Sequence, residues 1–557
     1  MVVHHATRIP LIPAAAIGIG TAPELGSSSN RIPIVPIHGR GSGRSLARFD
    51  RSGAVILVAA SVALVLRGYR LTRPGVLFGE GADDGVYFLA AVRLVHGAVP
   101  YRDYVLVHPP LITVLLAPFA LLGKLVGTAD AFAVARLATA AVGAADVALI
   151  GLLLRRFGTG AVVVGCTVLA LHGSAVVSAE TIYLEPYLVL LVLAALLVLF
   201  DGTELAGPRR QLGGSVLIGL ACATKIWAVV PALVLALIAV LFPARGCRRR
   251  GQLGRVASGA TAGFVLPVLP FAVLAPTRFV QDVFVAQLQR RGPRSSVAVR
   301  VASLLGLGSD QSRPAILVLV AGVALAVGVI GAYGRYVRRC RGRLDAFTVF
   351  VVVSAALVAV MFFIPVAYFW HYGGFFAPFL GLSLARPMSA GAAATWLPAR
   401  RAITVVAAGF AVVFAFGSVA ALSPVEGTTI PVTRIDAHIP PGSCVVTNNS
   451  SIALIVDRVN SASRCPQVVD PFGVGLVYAH VGTQAPRDAD RLVAYWDAVL
   501  ARSQYLLLIS NRRDRLPWHS LRPVVECNFH RVPLHLSSPQ FVLWLRNAGP
   551  RGQACRA

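Results

Sequence analysis

Two adjacent carboxylates, Asp83 and Asp84, stand just after the first long apolar run of the chain. Val99-Pro100-Tyr101-Arg102-Asp103-Tyr104 and His108-Pro109-Pro110-Leu111 follow them. Only 13% of the residues are charged, and hydrocarbon cannot hold neighbouring carboxylates unless they face water or find partners. The pair therefore marks a candidate site at a membrane boundary. The chemistry open to such a carboxylate is removal of a proton from a hydroxyl. A plainer role also exists: one of the two caps a helix running from Gly85 to His96 and ended by Gly97. Capping needs one acid, and here there are two.

Further polar residues fall at the ends of apolar runs. Glu180 and Glu185 flank Thr181-Ile182-Tyr183-Leu184, and Lys225 separates two short apolar segments. The stretch from Thr277 to Arg313 adds Gln287, Gln289, Arg290, Arg291 and Arg294, and Tyr368, Trp370, His371 and Tyr372 precede a later apolar run. Carboxylates facing Arg, Lys and His are what transfer from a phosphate-activated donor requires. The carboxylate takes a proton from the acceptor hydroxyl while cations stabilise the charge growing on the departing phosphate. Each residue has a competing use. Lys225 can snorkel to the interface, and Arg290 and Arg291 can contact lipid headgroups. Tyr368, Trp370 and Tyr372 suit an aromatic belt, whereas His371 suits either the belt or a phosphate.

The elements that must position these groups are membrane helices. At 56% hydrophobic residues the chain is too apolar for a soluble globule, so the expected fold is an all-α polytopic membrane protein. The net charge of +27 does not point to nucleic acid. It lies in short loops, at Arg155-Arg156, Arg209-Arg210, Arg248-Arg249-Arg250, Arg338-Arg339 and Arg400-Arg401, the cytoplasmic bias of a helical membrane protein. Residues 1–50 read as a disordered cytoplasmic tail without a cleavable signal. Residues 51–422 then hold about eleven spans by the length criterion: 53–69, 129–153, 160–178, 186–200, 213–225, 226–242, 254–275, 314–333, 345–364, 372–386 and 402–422. Counting 105–126 as a further span would place Arg clusters outside, so that stretch, broken by Pro109-Pro110, reads as juxtamembrane or re-entrant. The expected topology is multi-pass in the cell membrane, with the N-terminus cytoplasmic and the C-terminus extracytoplasmic.

Residues 423–557 change character, with spaced polar residues, β-rich runs at 444–447 and 505–510 and a helical pattern at 489–501. They are expected to form a small extracytoplasmic α/β domain. Four of the eight cysteines lie there, Cys444, Cys465, Cys527 and Cys555. Outside the cell they allow disulfides in three pairings, and Cys444–Cys465 is preferred because it closes a short loop. No cysteine spacing suggests a zinc site.

The segment from Asp83 to Leu111 resembles the first-loop signature of the GT-C superfamily of integral-membrane glycosyltransferases. The branch it is most similar to contains bacterial protein O-mannosyltransferases, aminoarabinose transferases and Rgt-like lipopolysaccharide-core glycosyltransferases. The motif stands here as Asp83-Asp84-Gly85-Val86-Tyr87, Gly97, Pro100-Tyr101-Arg102-Asp103 and His108-Pro109-Pro110-Leu111, with His108 where Lys is common. The resemblance continues more weakly through Glu180–Pro186 and Ala223-Thr224-Lys225, and covers roughly residues 50 to 390. It implies a GT-C-like helical fold and a general base at Asp83, with Asp84 second. The implied donor is a sugar on a polyprenyl phosphate, with Tyr87, Arg102, His108, Glu185, Lys225, Arg290 and His371 as candidates for binding donor phosphate or substrate. It further implies single displacement with inversion, on the outer face of the bilayer, to a glycan, lipid or protein acceptor. Whether a divalent metal takes part is left open.

A transporter of a lipid-linked or anionic substrate is the main rival. It calls for an internal repeat and charge near the bilayer midplane, whereas this sequence has no repeat and keeps its polar residues at span ends. A membrane scaffold presenting the C-terminal domain would leave the Asp83–Leu111 motif without a purpose.

Overall fold

The structure is a computed structural model. It describes residues 51–73, 75–81, 83–244, 247–290, 295–307, 344–392, 430–460, 465–479, 490–510, 515–535 and 540–548, with scattered positions between 320 and 338. The expected tail at 1–50, the span at 402–422 and most of the span at 314–333 lie outside the described residues.

Runs of Ala, Val and Leu without a polar interruption form the helical body. Its helices are α1 (Arg51–Tyr69), α2 (Asp83–Val95), α3 (Leu111–Val126), α4 (Thr128–Leu154), α5 (Thr159–Leu171) and α6 (Gly173–Ser178). After these come α7 (Leu184–Leu199), α8 (Pro208–Thr224), α9 (Val229–Leu241), α10 (Arg249–Leu274), α11 (Ala346–Met361) and α12 (Gly373–Ala392). Among the described residues, Arg51–Thr72, Thr128–Phe157 and Arg249–Leu274 are long and apolar enough to cross a membrane by length and composition. The other apolar helices are shorter. The outward faces are themselves apolar: Val58 and Val65 on α1, Leu233 on α9 and Leu266 and Val273 on α10 are each more than 60% exposed. Water would penalise such a continuous surface and lipid does not, so the belt is that of a membrane protein.

Several boundaries depart from the sequence reading. The stretch expected as one span at 160–178 is two helices, broken at His172, whose Nε2 lies 3.0 Å from the Leu304 carbonyl oxygen. The segment read as juxtamembrane or re-entrant contains a 16-residue helix, α3, which begins directly after Pro109-Pro110. Proline is tolerated at a helix start because the first N–H groups have no intrahelical partner in any case.

The C-terminal part forms a four-stranded mixed sheet. Its strands, numbered after a short hairpin of β1 (Phe200–Asp201) and β2 (Glu204–Leu205), are β3 (Val445–Thr447), β4 (Tyr505–Ile509), β5 (Phe529–Val532) and β6 (Phe541–Arg546). The order is β3-β4-β6-β5, with β3 parallel to β4 and the other pairs antiparallel. Helices α13 (Ser450–Ile455), α14 (Pro471–Ala479), α15 (Asp490–Arg502) and α16 (Trp518–Asn528) accompany it. A disulfide joins Cys444 and Cys465, 21 positions apart, at the start of β3. Cys527 is also disulfide-bonded, while Cys166, Cys222 and Cys247 are free thiols.

The sheet does not stand apart from the helices. Val86, Phe88 and Leu89 of α2 share one buried cluster with Ile452 and Leu454 of α13 and Leu507 and Ile509 of β4. Asn449 Nδ2 donates to Glu80 Oε1 at 2.9 Å and to the Gly81 carbonyl at 2.7 Å. Thr128 Oγ1 donates to the Leu454 carbonyl at 2.8 Å. Gly85 is required at the contact, because a Cβ there would lie 2.3 Å from the Ser451 nitrogen. The C-terminal part thus presses on the helix that opens with the two acidic residues.

Candidate active site

The Asp83-Asp84 pair is split by its surroundings. Both lie in the first turn of α2, but their side chains diverge. Asp84 is 1% exposed and receives Arg136 of α4 through Nε at 3.0 Å and Nη2 at 2.6 Å. Thr181 Oγ1 donates a further, short hydrogen bond to it. Arg136 also donates to the carbonyls of Leu77, Gly79 and Val76, so the pair ties the loop before α2 to α4. Asp83 instead lines a narrow recess together with Tyr87, His108, Lys225, Arg290, His371 and Asp470. Breaking the anchor should cost structure. Arg136→Met strands the buried Asp84 carboxylate and is expected to destabilise the protein by about 3–5 kcal/mol. Thermal unfolding in detergent checks this, and a variant as stable as wild type would remove the anchoring role.

The Pro-Tyr-Arg-Asp motif works as a bracket. Tyr101 sits at φ 67°, a left-handed conformation that a residue with a side chain rarely adopts. Its N–H donates to the Tyr104 carbonyl at 2.9 Å and its hydroxyl to the His108 carbonyl at 2.7 Å. The second bond fixes the backbone that presents His108 to the recess, where its ring meets Tyr87 edge-on at 5.6 Å. Arg102, expected among the substrate-binding residues, does not line the recess. It is 46% exposed and pairs with its neighbour Asp103 at 2.8 Å.

Lys225 stands at the break between α8 and a short turn at Ile226–Ala228. Its ammonium lies 2.7 Å from Glu185 Oε1 and over the rings of Trp227 and Tyr372, at 3.5 and 4.7 Å. Glu185, 1% exposed on α7, lies behind Lys225 and does not line the recess. One carboxylate, two aromatic faces and three ammonium donors leave Lys225 able to bind a further anion. Arg290 is held between Phe369 and Phe472, at 4.9 and 5.0 Å from their ring centroids. Arg291 and Arg294 lie outside the described residues.

Burial pushes His108 well below the usual imidazole range, and Lys225 and Arg290 add to the shift. Burial likewise holds His371 down at about 3, with Lys225 opposing protonation. Both rings are therefore neutral at pH 7 and offer hydrogen bonds rather than charge. The cationic character of the recess falls to Lys225 and Arg290.

The recess, about 30 Å³, adjoins a larger cavity of about 440 Å³. Val107, His108, Lys225, Arg290 and Tyr372 border both. Apart from Gln287 the rest of the larger cavity is apolar, with Ile226, Val283, Phe284, Leu288, Met361 and Ile364 among its walls. The lining of one end suits hydroxyls or a phosphate and that of the other a hydrocarbon chain. Among the described residues no three His, Cys, Asp or Glu side chains gather to hold a metal ion.

A sequence model of glycosyltransferase family 87 matches residues 106–365. The fold matches that of ArnT from Cupriavidus metallidurans in the apo state, at 15% identity with a TM-score of 0.56, covering 90% of this chain and 100% of that one. The chain thus has an ArnT-like fold and resembles glycosyltransferase family 87 over its central part. The same ArnT bound to undecaprenyl phosphate matches at 16% identity with a TM-score of 0.54 and the same coverage. Arabinofuranosyltransferase AftD from Mycobacteria is also similar, at 16% identity and a TM-score of 0.43, over 89% of this chain and 41% of that one. No curated protein matches. The region matched by family 87 includes His108, Lys225 and Arg290, whereas Asp83, His371 and Asp470 lie beyond it. Asp470 and Phe472 were not anticipated from the sequence, since no motif marks them and only the tertiary fold brings them to the recess.

Proposed function

We propose that this protein is a glycosyltransferase that moves a sugar from a polyprenyl-phosphate donor to a hydroxyl of a cell-envelope glycan, lipid or protein, on the outer face of the membrane. The observation that carries the reading is the junction of a polar recess with an apolar cavity at Lys225 and Arg290. A donor with a phosphate between a sugar and a hydrocarbon chain has the same order of parts. The ArnT structure that holds undecaprenyl phosphate supports a lipid of this kind.

In the proposed reaction Asp83 accepts the proton of the acceptor hydroxyl as its oxygen attacks the anomeric carbon. The bond from that carbon to the phosphate oxygen breaks with its electron pair, and polyprenyl phosphate departs. Attack opposite the leaving group inverts the anomeric centre. Lys225 and Arg290 meet the charge that grows on the phosphate, in a site where low dielectric strengthens the interaction. Neutral His108 and His371 can donate to the same oxygens, and Tyr87 borders the sugar.

The test supplies purified protein to membranes from cells lacking it, with the labelled sugar offered on undecaprenyl phosphate or as a nucleotide sugar. Label is expected to enter envelope material from the lipid donor alone. Transfer from the nucleotide sugar under conditions that block formation of the lipid-linked form would overturn the donor class.

A further inference from the structure

The recess has a wall contributed from the C-terminal part, and its chemistry differs from the rest. Asp470 precedes α14 and is 4% exposed, yet it lines the recess beside Asp83, Lys225, Arg290 and His371. Its Oδ1 accepts the Gly473 N–H at 2.7 Å, which is the work of a helix cap. That work needs one oxygen and no charge. Asn and Ser cap about as well as Asp, and burying a carboxylate is costlier than burying either of those neutral groups. Burial holds its carboxyl up at about 6, with the nearby Asp83 charge pushing the same way. Its other oxygen lies over Gly473, where a Cβ would come within 2.3 Å of Oδ2 and 3.0 Å of Val107 Cγ1. The segment is thus packed down onto the strip that carries His108. Two residues on, Phe472 takes the Arg290 guanidinium on its ring, so one short segment supports a phosphate-binding cation and adds a carboxylate.

We propose that Asp470 is the saccharide-recognising residue of the cleft, its carboxylate accepting a hydrogen bond from a ring hydroxyl of a sugar presented at the recess. A carboxylate accepts only, and beside the oxygen used by the Gly473 cap it keeps further lone pairs for a hydroxyl of a pyranose or furanose. Asp83 deals with one hydroxyl whose proton is lost, whereas Asp470 reads a hydroxyl that stays intact. The proposal rests on the transferase reading above and assigns the sugar contact to the C-terminal part. That sugar belongs either to the donor or to the acceptor.

Binding to the full-length protein in detergent distinguishes the cases, with undecaprenyl phosphate, an undecaprenyl-phosphate hexose and an octyl hexoside as probes. Asp470→Asn and Asp470→Ser both keep a capping group. Each is expected to bind the bare lipid phosphate as wild type does and to lose about tenfold or more in affinity for one sugar-bearing probe, since a hydrogen bond to a charged group is removed. Loss on the lipid-linked hexose places the contact on the donor sugar, and loss on the octyl hexoside places it on the acceptor. Unchanged affinity for both sugar probes would overturn the proposal, as would equal weakening toward the bare lipid. Failure of both variants to fold would assign the carboxylate to the scaffold and also overturn it. Wild-type protein that binds neither lipid would instead sink the transferase reading, and this inference with it.

Discussion

Asp83→Asn is expected to slow sugar transfer by about 10²–10⁴-fold, the range for removal of a positioned general base, while the protein inserts and folds as wild type. Asn keeps the shape of the side chain and caps a helix about as well as Asp, so the first turn of α2 is undisturbed. What it loses is the ability to take a proton. The location makes the comparison sharp, because Asp83 is half-buried at the edge of a recess bordered by Lys225 and Arg290, whereas Asp84 is spent on Arg136. Rates measured for the two Asn variants beside wild type, together with their unfolding temperatures, separate the roles. Asp83→Asn should lose rate and keep stability, and Asp84→Asn should lose stability first. Near-normal turnover by Asp83→Asn would remove it as the base. An inactive but stable Asp84→Asn beside an active Asp83→Asn would move the role one residue along.

The first loop was legible because its information is local. The pair Asp83-Asp84, the glycine at 97 and the two proline motifs fall within thirty residues, and a motif of that length can be matched from one sequence. What each residue does was less legible. Asp83 and Asp84 are chemically identical, and residues far along the chain tell them apart: Arg136 and Thr181, 52 and 97 positions from Asp84. Arg102 looked like a phosphate ligand by type, but its adjacent carboxylate captures it in an exposed turn. Asp470 carried no sequence signal, since a lone Asp before a helix reads as a cap, and the cap is real. Its second use appears only when the chain returns to α2, where Ser451 meets Gly81 across 370 positions. The division of the chain at 422 and 423 suggested a separate module for the same reason. Composition registers the change from apolar to mixed sequence but not that the two parts share one buried cluster.

Lys225→Met is expected to damage the protein twice, and a second substitution should repair only one kind of damage. Lys225 and Glu185 are both buried, with 2.7 Å between Nζ and Oε1. Removing the ammonium leaves Glu185 an uncompensated charge, which costs about 3–5 kcal/mol in stability. Transfer should fall as well, by about 10²–10³-fold if Lys225 stabilises the departing phosphate as an electrostatic donor does. Converting Glu185 to Gln in the same chain neutralises the stranded carboxylate, and the long apolar Met still covers Trp227 and Tyr372. Lys225→Met/Glu185→Gln should therefore recover most of the unfolding temperature while transfer stays low. Glu185→Gln alone frees the ammonium of its partner, so its rate should fall far less than that of Lys225→Met. This places Glu185 as a positioning residue that holds Lys225 toward the boundary between recess and apolar cavity. Recovery of transfer along with stability in the double variant would show that Lys225 serves the scaffold, and the phosphate role would then rest on Arg290 alone among the cations lining the recess.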